Sequence, residues 1–139
     1  MKSFLLKDKT PICKWGMLPD NVFFKGNIPV GMSLAICPSP YVVVDVDVHN
    51  VNGFENIPSD IFEELENTFH YETKSGGEHY WICYTGKKEL LNKSTPLGID
   101  LRTEKGYVRY NHSDDIQSCT KKIKKSSLKL NKWMEDLFS

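Results

Sequence analysis

Residues 41–48, YVVVDVDV, constrain the fold more than any other segment of the chain. The run is β-branched, too short for an ordinary helix, and suited to a pleated strand buried on at least one face. It is expected to be a central strand. Side chains alternate across a strand, so Asp45 and Asp47 project from one face, and Val44, Val46 and Val48 from the other. Two carboxylates so placed repel one another and lose hydration, a cost that a bound Mg²⁺ or Mn²⁺ offsets. The alternative is a solvent-facing or strand-end position where both acids stay hydrated. A lone Asp-x-Asp leaves both readings open.

The remaining punctuation implies a mixed α/β order within one domain spanning residues 1–139. Ser59 is placed to cap a helix through DIFEELENTF, with Ile61, Phe62, Leu65 and Phe69 at helical spacing. Residues 80–84, 98–102 and 106–110 read as further strands, with Glu104-Lys105-Gly106 as the turn between the last two. Residues 129–138 read as a terminal helix with Leu130, Trp133, Met134 and Leu137 inward.

Lys plus Arg and Asp plus Glu both number 18, so a charged partner must be met by a local patch. The N-terminus has three consecutive apolar residues before Lys7 and Asp8, far short of a signal core or a membrane span. A cytoplasmic protein with no membrane partner is expected. Cys13, Cys37, Cys83 and Cys119 form no Cys-x-x-Cys pair and have no closely spaced His, which argues against zinc-finger and thioredoxin-like chemistry. Reduced structural thiols are the expectation.

A third acid strengthens the metal reading. Asp100 lies on the expected strand GIDLR with Arg102 two residues on and therefore on its face, a cation suited to phosphate. Between the acids runs TKSGGEHYW, where Gly76 and Gly77 permit close backbone approach and Lys74, Ser75 and His79 offer donors to phosphate oxygens. Taken singly, Ser-Gly-Gly is equally a hairpin turn and His79 an ordinary strand histidine.

Together, VVVDVDVHN, TKSGGEHYWICY and GIDLRTEKGYVRYN resemble the three motifs of the bifunctional primase-polymerase domain in the archaeo-eukaryotic primase superfamily. KTPICKW, NIPVGMSLAI and LKLNKWMEDL extend the likeness over nearly the whole chain. The resemblance implies an α+β fold: a primase-like catalytic core with an RRM-like antiparallel sheet and a small N-terminal α/β element. It further implies that Asp45, Asp47 and Asp100 are catalytic metal ligands for Mg²⁺ or Mn²⁺. Ser75 and His79 would contact the phosphates of a nucleoside triphosphate, with Lys74 and Arg102 assigned on charge and position, and Gly76 and Gly77 shaping the loop. His49 departs from the small residues that often follow the first motif, and is expected to be exposed.

The expected activity is template-dependent nucleotidyl transfer, as a DNA primase or polymerase in replication or repair. Two metals about 3.5 to 4 Å apart would serve the attacking 3′-hydroxyl and the leaving pyrophosphate. A single-stranded or primed DNA template needs positive charge, for which Lys121, Lys122, Lys124 and Lys125 are candidates beside Lys87 and Lys88; Tyr107 and Tyr110 could stack on bases. A phage or mobile-element origin, with a separately encoded helicase, is an expectation from the resemblance. Two other classes stay open: a non-catalytic nucleotide or single-strand binding module, and a metal-dependent nuclease whose acids and His79 activate water.

Overall fold

The computed structural model describes residues 1–19, 24, 26–110 and 121–139. Cys119 lies outside them. Strands β1 (Lys2–Lys7), β2 (Thr10–Pro11) and β3 (Met32–Cys37) precede the acid-bearing strand, β4 (Val42–Val46). Helix α1 (Ser59–Glu66) leads to β5 (His70–Glu72), β6 (Glu78–Cys83), β7 (Ile99–Arg102) and β8 (Val108–Tyr110). After these come β9 (Lys124–Lys125) and α2 (Leu128–Phe138). Short 3₁₀ turns occupy Trp15–Met17 and Gly53–Asn56.

The strands divide between two sheets, one in the order β2-β1-β3-β8 and the other β5-β6-β4-β7, with β9 added alongside β6. Neighbours are antiparallel except for the parallel pair β6 and β9. The result is a mixed α+β fold in which β4 is internal, as its apolar run requires.

The alternation of β4 explains the layering. Val42, Val44 and Val46 enter a core with Ile61 and Leu65 of α1 and Leu130, Met134 and Phe138 of α2. Val43 faces the other way and packs with Leu34, Ile36, Tyr71, Trp81 and Val108. Helices therefore cover one face of the β4 sheet, and the β1-β3-β8 sheet covers part of the other. Full burial of each valine contributes about 1.5–3 kcal/mol. A charge on β4 is tolerable only where the two sheets part, and Asp45 stands there, half-buried beside fully buried neighbours.

Several expectations need correction. The N-terminal part is a sheet with a 3₁₀ turn and shows no α-helix among the described residues, so the expected α/β character is absent from them. Pro58, not Ser59, is the residue before the first helical turn, and it lends no side-chain cap. Asp60 supplies a local acceptor instead, its Oδ1 taking the Ile61 N–H at 2.9 Å. The helix ends at Glu66 rather than continuing to Phe69. Phe69 packs with the Tyr71 and Trp81 cluster on the opposite face of the sheet from Ile61, because β5 begins at the next residue. The turn at residues 104–106 forms, with the Gly106 N–H donating to the Thr103 carbonyl at 3.0 Å. It carries the chain from one sheet to the other rather than closing a hairpin.

The terminal helix starts one residue earlier than expected, capped by Ser127, whose Oγ accepts the Leu130 N–H at 3.1 Å. No helix among the described residues is long and apolar enough to cross a membrane.

Candidate functional site

Strand register brings together residues far apart in sequence. Asp45 of β4 lies directly opposite His79 of β6 on one side and Asp100 of β7 on the other. Side chains directly opposite on adjacent strands point to the same face, so the three form a row across the sheet. His79 Nε2 stands 3.4 Å from Asp45 Oδ1. Arg102 NH2 stands 3.2 Å from Asp100 Oδ2, the same-face pairing that the two-residue spacing predicts.

His79 is only 6% exposed, and both its ring nitrogens face polar partners. The indole N–H of Trp81 donates to the Tyr71 hydroxyl oxygen at 3.2 Å, and that hydroxyl lies 3.1 Å from His79 Nδ1. With its oxygen accepting from Trp81, the hydroxyl can donate its proton to Nδ1, leaving the imidazole N–H at Nε2 to face Asp45. The sequence places Trp81 in an expected strand and gives Tyr71 no role. Their polar ends become visible once pairing places residues 71 and 79 opposite each other.

Asp47 lies one residue beyond β4. Its backbone is clamped, its N–H donating to the Gly98 carbonyl and its carbonyl accepting from the Gly53 N–H, both at 2.8 Å. Gly53 and Gly98 meet so closely that a Cβ on Gly53 would lie 2.1 Å from the Gly98 oxygen. The Asp47 carboxylate bends back onto its own chain, Oδ1 accepting the N–H groups of Val48 at 2.7 Å and His49 at 3.0 Å. His49 is exposed.

The acids open onto two spaces. Asp45 and His79 face a cleft of about 440 Å³ lined also by Leu6, Lys9, Asn92, Arg102, Lys105 and residues 106–109. Asp47 and Asp100 line a separate cavity of about 250 Å³ with Asn50, Val51, Ser94, Thr95, Pro96 and Gly98. Thr95 N–H donates to Asp100 Oδ1 at 3.3 Å. Among the described residues, no three His, Cys, Asp or Glu side chains converge as a ready-made metal site. The donor chemistry nevertheless suits a hard cation: Asp45 and Asp100 are carboxylates in register, each partly accessible to solvent. Cations dominate the mouth of the larger cleft, where Lys9, Lys105 and Arg109 are exposed and Arg102 half-buried.

The Ser-Gly-Gly segment is the β5–β6 hairpin turn. The Thr73 N–H donates to the Gly77 carbonyl at 2.9 Å and the Gly76 N–H to the Thr73 carbonyl at 3.0 Å. Gly77 has a packing reason, because a Cβ there would lie 2.1 Å from the Val46 carbonyl oxygen at the end of β4. Gly76 has a conformational one, with φ at +92°. Lys74 and Ser75 are exposed on this turn and line neither cavity. Of the segment, His79 alone joins Asp45.

Lys121, Lys122, Lys124 and Lys125 are exposed and also lie outside both cavities. Their backbone extends the sheet along β6, with the Lys124 N–H on Thr68 Oγ1 at 2.9 Å and the Lys122 carbonyl accepting from Phe69. The charge at the Asp45 cleft instead comes from Lys9, Arg102, Lys105 and Arg109. No sequence signal marked Lys9 or Arg109, because both belong to the other sheet.

No family model matches the chain, and no curated protein matches it.

Proposed function

We propose that the protein is a metal-dependent nucleotidyl transferase of the primase-polymerase type, acting on nucleoside triphosphates and a DNA template. The observation that carries this reading is the row His79, Asp45 and Asp100 across the sheet, whose Asp45 and His79 open onto a cleft rimmed by Lys9, Arg102, Lys105 and Arg109. Acids beside a concentrated set of cations suit a divalent metal and the polyphosphate it accompanies. The sheet order gives further support. In β5-β6-β4-β7 the first strand in sequence is internal and flanked by the third and fourth, and helices cover one face. That is the strand order of the RRM-like sheet implied by the resemblance, although among the described residues the second helix follows the fourth strand instead of preceding it.

Asp45 and Asp100 would hold Mg²⁺ or Mn²⁺, with Asp47 the third carboxylate available beyond β4. Bound there, the metal would activate the 3′-hydroxyl and stabilise the leaving pyrophosphate. The side chains of this chain do the rest by placement. Arg102 and Lys105 receive phosphate oxygens at the β7 side of the cleft, and Arg109 receives them from the facing sheet. His79, with its proton at Nε2, orients the Asp45 carboxylate and leaves the second oxygen to turn towards the cleft. The Trp81–Tyr71–His79 hydrogen bonds support that tautomer.

Primer extension on a single-stranded template, with Mg²⁺ and with Mn²⁺, tests the reading. Incorporation by the wild type and its loss in Asp45→Ala are expected. The Asp47 geometry favours one rival, a non-catalytic nucleotide-binding module, because its carboxylate is engaged by its own amides and opens onto a different cavity from Asp45. Tight triphosphate binding with no incorporation under either metal would establish that rival.

A further inference from the structure

The turn between β1 and β2 is made by Asp8 and Lys9, with φ of 50° and 68°. They sit between the paired residues Lys7 and Thr10. A two-residue hairpin with positive φ at both central positions favours Asp-Gly or Asn-Gly, because glycine has no Cβ to crowd the carbonyl. Lysine in the second position is unfavourable, and it is exposed, so burial does not require it. Unfavourable backbone of this kind persists where the surrounding structure or the function holds it.

What the position supplies is reach into two adjoining spaces. Lys9 lines the cleft over Asp45 and a neighbouring cavity of about 440 Å³ formed with Asp8, Gly31, Met32, Ser33 and Arg109. Arg109 also lines both, and its Nε donates to Ser33 Oγ at 3.1 Å, which steadies the guanidinium. The two spaces together carry Lys9, Arg102, Lys105 and Arg109 against Asp8 and Asp45. The half-buried ring of Tyr107 lies along the same cleft.

We propose that Lys9 is kept in this turn to grip, together with Arg109, the phosphodiester backbone of a single-stranded nucleic acid passing from the Asp45 cleft into the neighbouring cavity. A strand fits better than a lone triphosphate because Lys9 and Arg109 stand where the two spaces adjoin, lining both, and so extend the basic lining of Arg102 and Lys105 past the Asp45 cleft. An aromatic ring beside a basic groove is the usual arrangement for holding unpaired bases. The identity of the ligand rests on the nucleotidyl-transfer reading of the cleft, whereas the grip itself is tested without catalysis.

The test measures binding of fluorescein-labelled oligothymidylate to the full chain by anisotropy across a salt series, with neither metal nor triphosphate present. Lys9→Gly, which restores the favoured Asp-Gly turn, is expected to melt no lower than wild type. It should bind more weakly and lower the slope of log affinity against log salt by about 0.7, the loss of one phosphate contact to a single strand. Lys9→Arg should keep the wild-type slope. An unchanged slope in Lys9→Gly, a fall in its melting temperature, or no oligonucleotide binding by the wild type would overturn the proposal. So would a Lys9 effect seen only with a free triphosphate analogue, which would make the ligand a nucleotide. Strand binding that depends on Lys9 in a protein that never incorporates nucleotides would sustain this inference while ending the enzymatic one.

Discussion

His79 and Asp45 face each other across adjacent strands, with the imidazole Nε2 3.4 Å from the carboxylate Oδ1. The histidine is almost wholly buried and the aspartate is reached by solvent, so the pair joins the core to the cleft. Its geometry depends on a hydroxyl that neither residue owns, that of Tyr71.

Tyr71→Phe removes the group that bridges Trp81 Nε1 and His79 Nδ1. Buried polar atoms left without partners cost about 1–3 kcal/mol. Urea denaturation should show a loss in that range. Nitrogen NMR of His79 should show the proton at Nε2 in the wild type and a mixture of tautomers in the variant. An unchanged midpoint together with an unchanged tautomer would remove Tyr71 from this role.

The two hairpin glycines should respond differently to alanine. In Gly77→Ala the new Cβ would collide with the Val46 backbone carbonyl, which cannot move without disturbing β4. At Gly76 the nearest atom is Val48 Cγ2 at 3.7 Å, so only the left-handed backbone opposes substitution. Gly76→Ala should cost about 1–2 kcal/mol, the left-handed penalty, and Gly77→Ala distinctly more. Denaturation midpoints in the reverse order would refute the steric account.

Arg102→Ala should separate binding from folding. The ion pair with Asp100 is partly exposed, at 27% and 21% of the side chains, so its loss should change stability by less than about 1 kcal/mol. If Arg102 receives phosphate, the KM for triphosphate should rise about tenfold or more, as expected for losing a charge-assisted contact worth about 1.5–3 kcal/mol. A normal KM in a folded variant would place the phosphates elsewhere.

Tyr84 gives an alkaline signature. Burial, and then the Glu135 carboxylate that accepts its hydroxyl proton at 2.9 Å, push the phenol up to about 12. A raised folded value favours the protonated form. The resulting stability is therefore complete below the ordinary phenol value near 10 and is lost as pH rises through about 12. Tyr84→Phe should be less stable than wild type at pH 9, and the gap should narrow between pH 10 and 12. A gap that stays constant over that window would count against the linkage.

The period of residues 41–48 was sufficient to place β4 inside a sheet with Val44 and Val46 on the face opposite Asp45, because alternation is a local property of an extended backbone. The terminal helix was legible for a similar reason, since Leu130, Trp133, Met134 and Leu137 recur at helical spacing, although the structure buries Phe138 fully and leaves Trp133 and Leu137 partly buried. Phe69 shows the limit. Its spacing from Leu65 suits a helix, yet it packs on the far face of the sheet, because the competition between extending α1 and starting β5 is decided by pairing with β6.

At the candidate site, sequence alone singled out Asp45, Asp47, Asp100, His79 and Arg102, and it could say which of them share a face within one strand. Only tertiary structure decided that Asp45 lies between His79 and Asp100, since register between strands depends on packing over the whole sheet. The Asp47 carboxylate turns onto the amides of its next two residues locally, but only tertiary structure opened it towards a second cavity. It also drew Lys9 and Arg109 from the facing sheet to the cleft, while the more conspicuous lysines of residues 121–125 fell along an edge strand. Charge clusters in sequence report local composition. Which charges meet a ligand is set by how two sheets pack, and that is a property of the folded chain alone.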